Sequence, residues 1–286
     1  MSAEIRRFVA DDGVELLAEM VGRPEMGSVI LAHGGGQTRH SWRATARSLA
    51  QTGWRAVAVD LRGHGDSGWS ADGDYRIERF ARDLIDVAHE LGDRPSLIGA
   101  SLGGLAGLCA EAVIAPGTFN SLTLVDIIPK MDPAGVSKIM GFMGANLEHG
   151  FASLDEASEC IASYLPHRPK RQDLSGLAKN LRLGADGRYR WHWDPRFVTG
   201  GRAPSQLMSD FDARCESIAI PVHLVRGRIS ELVAEDEARA FVARMRYGRF
   251  SDLAGAGHMV AGDNNDAFLA AVTGFLANLA QEAGHD

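Results

Sequence analysis

The pentapeptide Gly99-Ala100-Ser101-Leu102-Gly103 limits what this chain can fold into more than any other stretch of it. A short apolar run ending at Ile98 leads into it, and Leu105–Ala112 continues beyond it with the composition of a helix packed on a sheet. A serine at such a junction occupies a sharp strand-to-helix turn, in a backbone conformation strained for any residue with a Cβ. Glycines two residues to either side remove the Cβ atoms that would strike the neighbouring chain. The hydroxyl then projects from the top of the sheet, at the positive end of a helix. With 33 glycines in the chain the bare pattern says little, and the flanking strand and helix give it its weight.

The rest of the sequence repeats that strand–helix rhythm. Runs at Ile5–Val9 and Val14–Met20, joined by Asp11-Asp12-Gly13, read as a hairpin. Buried strands are predicted at Ser28–Ala32, Arg55–Val59, Leu122–Val125 and Val222–Val225, with a last short one at Gly248–Leu253. Helices are predicted over Trp42–Gln51, Ile77–Leu91, Glu235–Met245 and Asp266–Leu279; the second has apolar residues at 77, 80, 81, 84, 85, 88 and 91, a 3.6-residue period. Strands alternating with helices predict an α/β fold with a mostly parallel sheet covered on both faces. The stretch 129–214 breaks the rhythm, with helices at Ala134–Asn146 and Leu154–Leu165 and then the aromatic run Tyr189–Phe197. The expected organisation is a core from 1–128 and 215–286, with 129–214 inserted as a lid over the strand C-terminal edge, where open α/β sheets bind ligands.

Several function classes are disfavoured. A formal charge of −7 offers no basic footprint for nucleic acid. The N-terminal residues lack the apolar core of a signal peptide, and no apolar run approaches the roughly 20 residues that span a bilayer, so a cytoplasmic protein without membrane contact is expected. Cys109, Cys160 and Cys215 lack the spacing of a disulfide framework or zinc site. Gly34-Gly35-Gly36 is not followed by a phosphate-loop or dinucleotide pattern. No metal or cofactor is implied, and the expected partner is a small-molecule substrate, with a homodimer possible.

A serine hydroxyl needs an adjacent base to become a nucleophile. Of ten histidines, His258 is the candidate, on the Gly-rich loop past the last predicted strand. His192 reads as a pocket-wall or lid-packing residue and His223 as a core residue. His40, His64, His89, His149, His167 and His285 read as surface or turn residues. The base in turn needs a carboxylate to fix its tautomer. Glu231, after the Val222–Val225 strand, is the first choice, and Asp126, at the end of Leu122–Val125, is the alternative. Two N–H groups are needed for an oxyanion: Leu102 supplies one and Gly35, ahead of Gly36, the other. Trp191 and Trp193, with Phe197 and the stretch Met140–Met143, are expected to wall an apolar substrate pocket.

His33-Gly34-Gly35-Gly36 with Trp42 nearby, Asp60–Ser67, Gly99–Gly104 and Gly255–Met259, in this order, resemble the motifs of the α/β-hydrolase superfamily over nearly the whole chain. The likeness is to its lidded branch of esterases, lactonases, carbon–carbon bond hydrolases and cofactor-free haloperoxidases. It implies an eight-stranded, mostly parallel sheet with helices on both faces and an inserted helical lid. It also implies a serine hydrolase acting through Ser101 and His258 on an ester of a small, fairly apolar substrate. Lactone or carbon–carbon bond cleavage by the same residues, or ligand binding without catalysis, are the alternatives. Dehalogenases and epoxide hydrolases of this superfamily use an aspartate nucleophile, against which Ser101 argues. The acid departs from the usual pattern, since Ser230-Glu231 replaces a plain aspartate; some lidded members draw their acid from the earlier strand, where Asp126 lies.

Overall fold

A computed structural model describes residues 3–164, 174–178, 180–200 and 206–283. His167 and His285 lie outside the described residues. The strands are β1 (Ala3–Val9), β2 (Glu15–Val21), β3 (Ser28–Ala32), β4 (Arg55–Val59), β5 (Ser96–Ala100), β6 (Ser121–Val125), β7 (Leu181–Leu183), β8 (Tyr189–Trp191), β9 (Val222–Gly227) and β10 (Gly248–Leu253). Eight of them form one sheet in the order β1-β2-β4-β3-β5-β6-β9-β10. The β1–β2 and β2–β4 pairs are antiparallel and all the others are parallel.

Alternation along the central strands sorts their side chains between two cores. Ile30, Ala32, Val57, Val59 and Leu97 face one side, and Val29, Leu31, Ala56, Ala58 and Ile98 the other. Because both faces are covered, β3 reads as an unbroken apolar run and is buried along its length. The helices of the first half are α1 (Arg43–Gln51), α2 (Ile77–Leu91) and α3 (Leu102–Cys109), the last continued by a π-helical turn over Ala110–Ile114. Between β6 and β9 come α4 (Pro133–Gly144), α5 (Leu154–Tyr164), α6 (Ser175–Ala178), α7 (Arg196–Thr199) and α8 (Gln206–Cys215). The chain closes with α9 (Glu235–Ala243), α10 (Val260–Asp263) and α11 (Asn265–Ala283). Leu84, Ile85 and Ala88 of α2 and Ala106 and Leu108 of α3 fill the first core, while Ala46 and Leu49 of α1 and Phe268, Val272 and Phe275 of α11 fill the second. No helix among the described residues is long and apolar enough to cross a membrane.

The aromatic run supplies one strand of a short antiparallel hairpin, with Leu181 opposite Trp191 and Leu183 opposite Tyr189. Its base is fastened to the sheet. Asp194, buried, accepts hydrogen bonds from the Tyr75 hydroxyl at 2.6 Å and from Arg196 Nη2 at 2.7 Å, and its own N–H donates to the Gly63 carbonyl. Burial would raise this carboxyl, but the bonds from Arg196 and Tyr75 outweigh it and hold it below its ordinary range. Arg196 also donates to the Ser70 carbonyl. The inserted segment is therefore tied at this end to the loops that follow β4.

Candidate active site

Ser101 sits between β5 and α3 with φ 45° and ψ −110°, in a region that side chains with a Cβ rarely adopt. The flanking glycines are required by contact. A Cβ on Gly99 would lie 2.5 Å from the Gly103 carbonyl carbon, and one on Gly103 would lie 2.5 Å from the Ala32 carbonyl oxygen. The turn is fixed by the Ser101 N–H donating to the Val125 carbonyl and the Gly103 N–H to the His33 carbonyl, each at 3.2 Å. The elbow is thereby bonded to both neighbouring strand ends.

His258 lies on the loop between β10 and α10, and its Nδ1 is 2.8 Å from Asp126 Oδ2. An ionised carboxylate only accepts, so Nδ1 carries the proton and Nε2 is left with its lone pair. Asp126, at the C-terminal end of β6, is fully buried and has a φ of +50°. It accepts two further bonds, from the Gly227 N–H at 3.1 Å and the Ser230 hydroxyl at 2.5 Å. Three donors around one buried carboxylate compensate its removal from water.

Glu231, the sequence's first choice for this position, is elsewhere. The loop after β9 turns so that Ser230 meets Asp126 while Leu232 and Val233 are buried. Glu231, between them, points outward; its side chain is 67% exposed and paired with Lys138 of α4. With Ser230 turned inward to Asp126 and Leu232 and Val233 buried, the intervening side chain is left at the surface, where it meets Lys138.

The loop after β3 brings backbone close to Ser101, since a Cβ on Gly34 would come 3.4 Å from the serine Cβ. Gln37 holds this loop, accepting from the Gly34 N–H at 3.1 Å through Oε1 while its Nε2 lies 3.2 Å from Met259 Sδ. The N–H groups of Gly35 and Leu102 have no protein acceptor among the described residues, and both residues border the same cavity.

Beneath the loop lies a histidine cluster that the sequence did not reveal. His33 donates from Nδ1 to the Gly34 carbonyl and accepts the Leu61 N–H on Nε2. His192 accepts the Gly65 N–H on Nδ1 at 2.7 Å, and its Nε2 lies 3.3 Å from the Gly36 carbonyl. His64 is between them, 5.2 Å from the His33 ring and 5.9 Å from that of His192. It occupies the expected turn but is wholly buried rather than at the surface. Burial pushes His33 and His192 each down to about 3, so both are neutral and serve as bifunctional pegs between the β3 and β4 loops. The sequence signal was available: His33 and His64 sit inside the two Gly-rich motifs.

Ser101, Leu102, Gly35, His258, Trp191 and Trp193 all border one cavity of about 630 Å³. Its far wall comes from the insert, with Val136, Ile139, Phe142 and Met143 of α4, Ile161 and Tyr164 of α5, and the two tryptophans stacked with centroids 4.8 Å apart. Glu231 does not border it, and no carboxylate among the described residues does. No group of three or more His, Cys, Asp or Glu side chains among the described residues is placed to hold a metal ion. The arrangement suits acyl chemistry: an oriented imidazole, a hydroxyl at an elbow, and two N–H groups beside an apolar chamber.

A model of the alpha/beta hydrolase family matches residues 29–271. This chain belongs to the alpha/beta hydrolase family. It is 31% identical to the esterase Rv0045c of Mycobacterium tuberculosis over 254 residues, covering 87% of this chain and 82% of the relative. It is 28% identical to the 3-hydroxybutyrate-oligomer hydrolase of Cupriavidus necator, covering 80% and 82%. Among solved structures, a family member from Novosphingobium aromaticivorans superimposes with a TM-score of 0.79 at 23% identity, covering 96% of this chain and 98% of that one. The structure of esterase Rv0045c gives 0.75 at 27% identity, covering 96% and 92%. The eight-stranded mostly parallel sheet and the family membership agree with the sequence reading.

Proposed function

We propose that this chain is a serine hydrolase that cleaves an ester bond of a small, fairly apolar substrate. Ser101 is the nucleophile, His258 the base and Asp126 the acid that orients it. The observation that carries the reading is the 2.8 Å contact of His258 Nδ1 with buried Asp126, on a cavity that Ser101 also borders. The esterase and oligomer-hydrolase relatives support ester cleavage.

The chemistry follows from the tautomer. Nε2 of His258 takes the Ser101 proton as Oγ bonds to the ester carbonyl carbon. The carbonyl oxygen becomes an oxyanion, which accepts from the N–H groups of Leu102 and Gly35. The imidazolium, stabilised by Asp126, then gives its proton to the leaving alcohol oxygen as the carbon–oxygen bond breaks. A water, deprotonated by the same Nε2, attacks the acyl-serine and releases the carboxylic acid and the free hydroxyl. The insert acts as the lid, and its apolar wall receives the acyl chain.

The test is labelling by a fluorophosphonate probe together with turnover of p-nitrophenyl esters of graded acyl length. Ser101→Ala should abolish labelling and lower kcat by at least about 10³-fold at unchanged melting temperature. Hydrolysis at near-normal rate in that variant sinks the reading.

A further inference from the structure

The cavity has two unlike walls. The wall from the insert is apolar, whereas Gln37, Thr38, His40 and Ser41, between β3 and α1, and Arg43 at the start of α1 line the cavity with polar side chains. Met259, the residue after His258, borders the cavity too and is in contact with Gln37. The polar wall thus adjoins the histidine, and it is the histidine that delivers a proton to the departing alcohol. The acyl chain and the leaving group accordingly meet different chemistry.

Arg43 distinguishes this wall further. Its neighbour Arg39 is occupied, paired with buried Asp60 and with Asp66 at 2.8 Å. Arg43, solvent-exposed at the first position of α1, has no acidic partner among the described residues. A cation at a helix N-terminus opposes the helix dipole, so this arginine gains nothing from its local position. It nevertheless borders a chamber whose described lining contains no carboxylate. A guanidinium so placed presents a planar fork of donors suited to a carboxylate.

We infer that Arg43 recognises a carboxylate carried by the leaving alcohol, so that the preferred substrates are acyl esters of hydroxy acids. This rests on the esterase reading above and adds the chemistry of the second half of the substrate. An apolar acyl group lies against α4 and α5, the scissile bond lies at Ser101, and the acid end of the alcohol lies at Arg43.

The experiment compares the butyrate esters of 4-hydroxybenzoate and 4-hydroxybenzamide, which share an acyl group and differ in the leaving group's charge. For the wild type, kcat/KM should favour the carboxylate ester, and the preference should shrink as salt is raised. Arg43→Gln should lower the ratio of the two by about fivefold, the upper range for a solvent-exposed ion pair. Arg43→Lys should keep most of it. Arg43→Glu, which suits the helix terminus, should reverse it. Binding of the two phenols themselves, read from tryptophan fluorescence, supplies an arm independent of turnover, with tighter binding of 4-hydroxybenzoate expected in the wild type and lost in Arg43→Gln. If neither ester is turned over but the binding preference depends on Arg43, the ester reading fails and the carboxylate site stands. If the ratio is unchanged in Arg43→Gln, or both esters fall together, or the phenols bind without preference, the inference is overturned.

Discussion

Acidification should loosen this protein through the histidines beneath the glycine loop. His33 and His192 are 0% and 2% exposed, and burial holds each near 3 against an ordinary 6.5. Their neutral forms are fully bonded between the β3 and β4 loops, so protonation removes an acceptor that a backbone N–H requires: Leu61 for His33 and Gly65 for His192. The sign follows from linkage. Between about 3 and 6.5 the unfolded chain binds protons that the folded chain refuses, so stability is flat above 6.5 and falls progressively as pH drops towards 3. One such histidine loses about 2 kcal/mol between pH 7 and pH 5, because a shift of one unit is worth about 1.4 kcal/mol. Carboxylates titrating over the same range blur the wild-type curve, so the informative measurement is a difference. Urea unfolding at pH 7, 6 and 5 should be compared for the wild type and His192→Gln, whose amide keeps one acceptor and one donor but does not titrate. The variant should lose about 2 kcal/mol less than the wild type over that interval, whatever its stability at pH 7. Parallel pH dependences in the two proteins would refute the account.

Three further outcomes are expected. Asp126→Asn leaves the histidine in the wrong tautomer and should lower kcat on a p-nitrophenyl ester by about 10⁴, whereas Glu231→Gln, which only disturbs an exposed pair with Lys138, should stay within about threefold of wild type. Trp193→Ala removes a side chain that is 2% exposed; it should lower stability by about 3–5 kcal/mol in chemical denaturation and shift acyl-length preference towards longer chains among the molecules that remain folded. Gly103→Ala would bring a Cβ to 2.5 Å from the Ala32 carbonyl oxygen, so soluble expression and fluorophosphonate labelling should both be lost, while Gly141→Ala, whose Cβ meets nothing within 4 Å, should be silent in the same assays.

The parts of this molecule that a local pattern specifies were legible in the sequence. β3, β4 and α2 have the boundaries that their apolar runs and period predict, because burial on one or both faces writes itself directly into composition. The elbow at Ser101 was legible for a different reason, since the turn leaves no room for a Cβ at 99 or 103. What escaped is what depends on contacts distant in sequence. The hairpin of Leu181–Leu183 with Tyr189–Trp191 is three residues a side, too short for alternation to register. The carboxylate behind His258 could not be chosen because an acid follows both β6 and β9, and what separates them is the inward turn of Ser230, which leaves Glu231 outside. The role of His192 required two loops more than a hundred residues apart to meet.

The hydroxyl of Ser230 reaches the same carboxylate oxygen as the imidazole, from the strand next to the one that bears Asp126. The hollow behind the histidine is therefore bordered by the residues that follow two adjacent strands. A lineage could pass through an intermediate with an acid at both 126 and 230, a pair able to share one proton, and then lose the older one. Ser101 and His258 would not have to move during such a handover. A change in which strand end carries the acid would thus leave the elbow and the histidine loop in place.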